Sequence, residues 1–94
     1  MKNQNPYRPG TLYHLIAKEG ARQSWPSRKV LAAHVTKLVR NAKAFAAYLT
    51  GSAPLEQRVR FAVDVVCYRG QQSNKGTESY PVGKNFRVRY VSAS

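Results

Sequence analysis

The sequence predicts an α+β fold, with three helical segments followed by a β-hairpin. Three observations predict it. Apolar residues recur at helical spacing in three successive stretches before residue 70. Cap-type residues bound those stretches, with Thr11, Ser27 and Ser52 in front and Gly20, Gly51 and Gly70 behind. Past residue 77 the pattern changes to alternation around a short Gly-Lys-Asn connector. A chain of 94 residues suits one such domain with a modest core, expected over 11–92, after an extended arm at 1–10.

The arm holds two Pro, one Gly and three amide side chains, and carries Lys2 and Arg8. TLYHLIAKEG then reads as a short first helix. Thr11 can cap it, Leu12, Leu15 and Ile16 share a face, and Gly20 offers a left-handed stop. Pro26 turns Trp25 away from helical backbone, and Ser27 is a good N-cap for the next segment. From there Leu31, Val35, Leu38, Ala42, Phe45 and Leu49 step by 4, 3, 4, 3 and 4, which predicts one long helix over 27–50. The alternative is a turn between Thr36 and Asn41.

SAPLEQRVRFAVDVVCYRG, residues 52–70, admits two readings. As a strand, Val59, Phe61, Val63, Val65 and Cys67 alternate onto one face, and four Val with a Phe, a Cys and a Tyr in ten residues suit it. As a helix, Leu55, Val59, Ala62, Val63 and Val66 fall at offsets 0, 4, 7, 8 and 11 and form one stripe, leaving Phe61 near solvent. Ser52 as cap, Pro54 in the first turn, Glu56 at the positive end and Gly70 behind favour the helix, over 53–69. GQQSNKGT reads as a polar loop. SYPV and FRVRYV then flank Gly83-Lys84-Asn85 as a hairpin. Pro81 confines the first strand to an edge, while Phe86, Val88 and Tyr90 face one way and Arg87 and Arg89 the other.

Charge is the strongest functional signal. Sixteen Lys and Arg against four acids give +12, spread from Lys2 to Arg89, a field that concentrates polyanions. The lone Cys67 forms no intramolecular disulfide and reads as a small buried apolar group. With His14 and His34 it makes no zinc site. No apolar run is long enough for a membrane span, and MKNQNPYRPG is too polar for a signal peptide. The expected location is the cytoplasm, of a bacterial cell or a phage-infected host. Neither His has an acid near it in sequence, so both are expected to serve packing or surface roles. Glu19, Glu56, Asp64 and Glu78 have no two-metal spacing, and SNKGT lacks the spacing of a phosphate-binding loop. An enzyme, a cofactor and a small-molecule substrate are therefore not expected. Trp25 is expected to be a core or hinge anchor.

Taken together, TLYHLIAKEG, SRKVLAAHV, PLEQRVRFAVDVVCYRG and the hairpin YPVGKNFRVRYV resemble, in element order and charge, a winged helix-turn-helix domain of the small bacterial or phage type. The resemblance implies double-stranded DNA as partner, a regulatory role in transcription, a third helix in the major groove and a hairpin wing over the backbone or minor groove. On the helix, Gln57, Arg60, Phe61, Asp64 and Tyr68 project opposite the apolar stripe. Gln57 would pair with adenine and Arg60 with guanine, Arg58 and Arg69 with phosphates, and Asp64 would orient an arginine. Lys84, Arg87 and Arg89 on the wing and Lys75 before it are further candidates, with Arg28, Lys29, Lys37 and Arg40 as secondary phosphate contacts. A homodimer would enlarge the site read. Two other readings stand beside this one. One is a basic effector or inhibitor docking on an acidic protein; the other is an RNA-binding protein, favoured if 52–70 is a strand whose arginines join those of the hairpin on one sheet face.

Overall fold

The computed structural model describes residues 5–43, 45, 53–67 and 76–90. Three helices, α1 (Leu12–Arg22), α2 (Arg28–Asn41) and α3 (Leu55–Cys67), precede an antiparallel hairpin of β1 (Thr77–Val82) and β2 (Asn85–Tyr90). This is the expected α+β order.

Thr11 starts α1, its hydroxyl accepting from the His14 N–H at 3.2 Å. The helix does not stop at Gly20. It runs on to Arg22, and Gly20 is buried within it, where Val88 of β2 packs directly against the backbone. The glycine serves close approach here, and its φ is not positive. Ser27 caps α2 through the Val30 N–H at 3.2 Å, as expected.

The single long helix over 27–50 is not what forms. α2 ends at Asn41: Ala42 turns extended (φ −109°, ψ 121°), and its N–H reaches Val39 O, three residues back, at 3.4 Å. Phe45 nevertheless stays half-buried against the core, so the apolar spacing continues after the helix has stopped. Leu49, Gly51 and Ser52 lie outside the described residues.

Residues 55–67 are helical, which removes the strand reading and the arginine-bearing sheet built on it. The Arg58 N–H donates to Pro54 O at 3.1 Å, so proline sits just ahead of the first turn, where its missing N–H costs nothing. Leu55, Val59, Ala62, Val63, Val66 and Cys67 are buried, the stripe expected of the helix plus Cys67. At the other end, the β1 hydroxyls of Thr77 and Ser79 donate to the carbonyls of Val66 (3.0 Å) and Cys67 (2.9 Å). Those carbonyls belong to the last described turn of α3.

Val82 pairs with Asn85, so the hairpin loop is two residues, Gly83-Lys84, and Asn85 begins β2. Gly83 at φ 62° followed by a residue of negative φ suits the type II′ geometry that tight hairpins prefer. Pro81 lies on β1, whose outer edge is unpaired among the described residues. The inner strand has a neighbour: Trp25 and Phe86 exchange both backbone hydrogen bonds, at 2.7 and 2.8 Å. The hairpin is thus fastened to the α1–α2 connection as well as to the end of α3.

The core is aliphatic. Ile16, Leu31, Val35, Val39, Val59, Val63, Val66 and Val88 are fully buried, each contributing about 1.5–3 kcal/mol by removal from water. Trp25 closes one side, its indole N–H donating to Glu19 O at 3.0 Å. The Glu19 carboxylate in turn lies 3.0 Å from Arg22 Nε and 3.0 Å from His34 Nε2. This cluster joins α1, the Trp25 bridge and α2. Residues 5–7 fold back on the domain. Tyr7 stacks on Tyr13 at 5.6 Å and its hydroxyl meets that of Thr77 at 3.0 Å, while the Asn5 amide donates to His14 O.

Candidate nucleic-acid interface

Burying one stripe of α3 leaves the opposite ridge in solvent. Glu56, Gln57, Arg60, Phe61 and Asp64 are all exposed, Phe61 to 65 %. Arg58 is half-buried and, with Gln57 and Phe61, borders the cleft toward α1. Tyr68 and Arg69 lie outside the described residues, as does Lys75.

α2 runs beside this ridge and presents Arg28, Lys29, Lys37 and Arg40 to solvent. Between the helices lies a groove of about 240 Å³ floored by Ala32 and Thr36, with Lys29 on one wall and Arg60 on the other. The Lys29 and Arg60 side chains have no hydrogen-bond or ion-pair partner among the described residues. Two ion pairs cross the same junction. Arg28 Nη1 stands 3.5 Å from Asp64 Oδ1, and Arg40 meets Glu56. Asp64 therefore does hold an arginine, and the one it holds comes from α2. The carboxyl of Glu56 is kept below its usual range chiefly by its own backbone N–H in the first turn, with Arg40 adding to the effect.

The remaining acids are engaged too. Glu78 pairs with Arg89 at 2.5 Å, and Glu19 pairs with Arg22 and His34. All four carboxylates of the chain thus have a basic side chain against them, which offsets four of its sixteen Lys and Arg. The exposed pairs Arg28–Asp64 and Arg40–Glu56 add little to stability, so their main effect is on the shape of the surface field.

The wing cations divide. Lys84 is exposed at the hairpin tip, beside Asn85, whose amide reaches Ser24 Oγ at 3.4 Å near the start of α2. Arg87 is half-buried and its Nε donates to Ala21 O at 2.9 Å, at the end of α1. Arg89, besides Glu78, lies over the Tyr80 ring at 5.0 Å. Lys29, Arg60 and Arg28 are therefore gathered at the α2–α3 groove, while Arg87 and Arg89 are occupied by protein groups.

On the far side of α3 a cleft of about 390 Å³ opens between α1 and α3, lined by Leu12, Tyr13, Ala53, Gln57, Arg58 and Phe61. Phe61 stands on the rim between cleft and ridge. Sequence reasoning anticipated the exposed ridge but not the Lys29–Arg60 groove, which exists only through α2–α3 packing. It also missed the Glu19–His34 contact, whose partners are 15 residues apart. Cys67 is fully buried, and burial pushes its thiol up to about 11. Among the described residues no three His, Cys, Asp or Glu side chains are grouped to hold a metal ion, and no helix is long and apolar enough to cross a membrane.

Comparison with known proteins returns no match among protein-family models, curated proteins or solved structures.

Proposed function

We propose that this chain is a double-stranded DNA-binding regulator of transcription, of the winged helix-turn-helix kind, acting in the cytoplasm of a bacterial cell or an infected host. One observation carries the reading. A solvent-facing helical ridge with Gln57 and Arg60 adjoins a groove whose cations Lys29 and Arg60 have no partner among the described residues, on a chain whose acids are all engaged internally. A rod of this width fits the major groove, and an arginine and a glutamine are the side chains whose forked groups match guanine and adenine edges. Lys29, Lys37 and Lys84 would meet phosphates, and Arg28 once Asp64 releases it. Arg40, Arg58, Arg87 and Arg89 are secondary in this arrangement, because each faces protein as well as solvent. Gln57 and Arg60 alone specify few bases, so a homodimer on paired half-sites is part of the proposal.

The test is a gel shift with duplex DNA, single-stranded DNA and RNA at two salt concentrations. Duplex preference with a steep loss of affinity at the higher salt supports the reading. Arg60→Ala should then erase site preference more than non-specific affinity. A second reading draws on a different observation. The exposed Phe61 beside the α1–α3 cleft suits an acidic protein partner with one apolar side chain to bury. That reading expects no duplex binding at physiological salt and one dominant acidic protein in a pulldown.

A further inference from the structure

Phe61 is out of place on a purely electrostatic surface. It is the most exposed large apolar side chain among the described residues, at 65 %, and it stands in the middle of the α3 ridge. Gln57 lies one turn before it, Arg60 beside it and Asp64 one turn after, all in solvent. Burial was not denied to it for lack of apolar neighbours, since Leu12 and Tyr13 line the adjoining cleft. A protein-interface core would be depleted of charge at this point, whereas Arg58 and Arg60 flank this ring and the one acid nearby, Asp64, already faces Arg28. The charge around Phe61 therefore selects a polyanion as what covers it.

We infer that Phe61 reads a thymine C5-methyl group in the major groove of duplex DNA, about two base-pair steps from the pair contacted by Gln57. The inference rests on the duplex-binding reading above and adds the base. In the major groove the thymine methyl is the one apolar feature that base pairs display, and an apolar side chain is its partner. Residues one helical turn apart stand roughly 6 Å apart along the axis. Base pairs rise ~3.4 Å, so Gln57 and Phe61 address pairs about two steps apart. The recognised site thus contains an A·T pair read from its adenine by Gln57 and, within two steps, a second read from its thymine by Phe61.

The experiment uses the whole chain. A duplex is first enriched from a pool with a randomised 20-base-pair segment, and each dT in it is then replaced singly by dU, which removes the methyl and keeps the pairing. One replacement should weaken wild-type binding by roughly fourfold, the worth of one buried methyl group. Phe61→Ala, which folds normally by circular dichroism because the ring is exposed, should bind the dT duplex about as weakly as wild type binds the dU duplex. It should show no further loss on dU, the signature of a shared contact. Equal wild-type affinity for all dU duplexes, or a dU penalty that survives Phe61→Ala, overturns the inference while duplex binding stands. Failure to enrich or bind any duplex overturns the underlying reading, and the inference with it.

Discussion

A methyl group of Val88 occupies the space that a side chain at Gly20 would need: a Cβ there would stand 2.6 Å from Val88 Cγ2 and 3.0 Å from its Cβ. Both residues are buried, one in α1 and one in β2, so the contact sets how closely the hairpin lies on the first helix.

Gly20→Ala therefore destabilises the fold, although alanine is the better helix former by about 1 kcal/mol. Overpacking a fully buried valine costs about 1–3 kcal/mol and outweighs that gain. Val88→Ala alone also destabilises, by leaving a cavity. The double variant should be more stable than the two single losses predict, read as a non-additive shift in urea midpoint.

Stability should fall on the alkaline side because of Cys67. Its thiol is raised from 9.0 to about 11 by burial, against a smaller lowering by Arg28. The folded chain therefore keeps a proton that the unfolded chain gives up, and stability drops as pH rises from about 9 to about 11. The loss is on the order of 2–3 kcal/mol. Burial also raises Tyr90, against a hydrogen bond from Asn5, and this acts in the same direction. Urea midpoints across this range should flatten in Cys67→Ala, and a thiol reagent at neutral pH should label the native chain only as fast as it opens.

The wing arginines should separate by assay. Arg87→Ala removes the donor to Ala21 O at a half-buried site and should cost about 1–3 kcal/mol in thermal or urea unfolding. Lys84→Ala, at an exposed tip, should leave unfolding unchanged and reduce the salt slope of duplex binding by about 1. Unchanged stability in Arg87→Ala would show that the bond to α1 does not hold the hairpin.

Asp64→Asn should raise affinity for non-specific duplex DNA. The substitution removes a negative charge from the ridge and releases Arg28, now 3.5 Å away, to a phosphate. The salt slope should steepen by about 1. In an Arg28→Ala background the steepening should vanish. A slope that steepens equally without Arg28 would mean that repulsion alone, and no released arginine, explains the gain.

The helix orientation of α3 was legible because its burial follows local spacing, and a stripe at offsets 0, 4, 7, 8 and 11 has one inward side. The exposed Gln57, Arg60, Phe61 and Asp64 follow from the same arithmetic. The end of α2 was not legible, because Ala42 and Phe45 keep the apolar rhythm in a backbone that has already turned. Gly20 misled for a related reason. A glycine that ends a helix and one that admits a neighbour look alike in sequence, and the neighbour here is 68 residues away. The ion pairs at the α2–α3 junction depend likewise on packing: Arg28 and Asp64 are separated by 36 residues. Charge totals foretold a basic surface without locating the groove between Lys29 and Arg60.

Stitched at one end to carbonyls of α3 and near the other to Trp25, the ribbon is held at two separate points. The gap from the ridge to Lys84 is then a fixed gauge. Any molecule that touches both must bring its own contact points to that spacing, because the protein will not stretch to meet them.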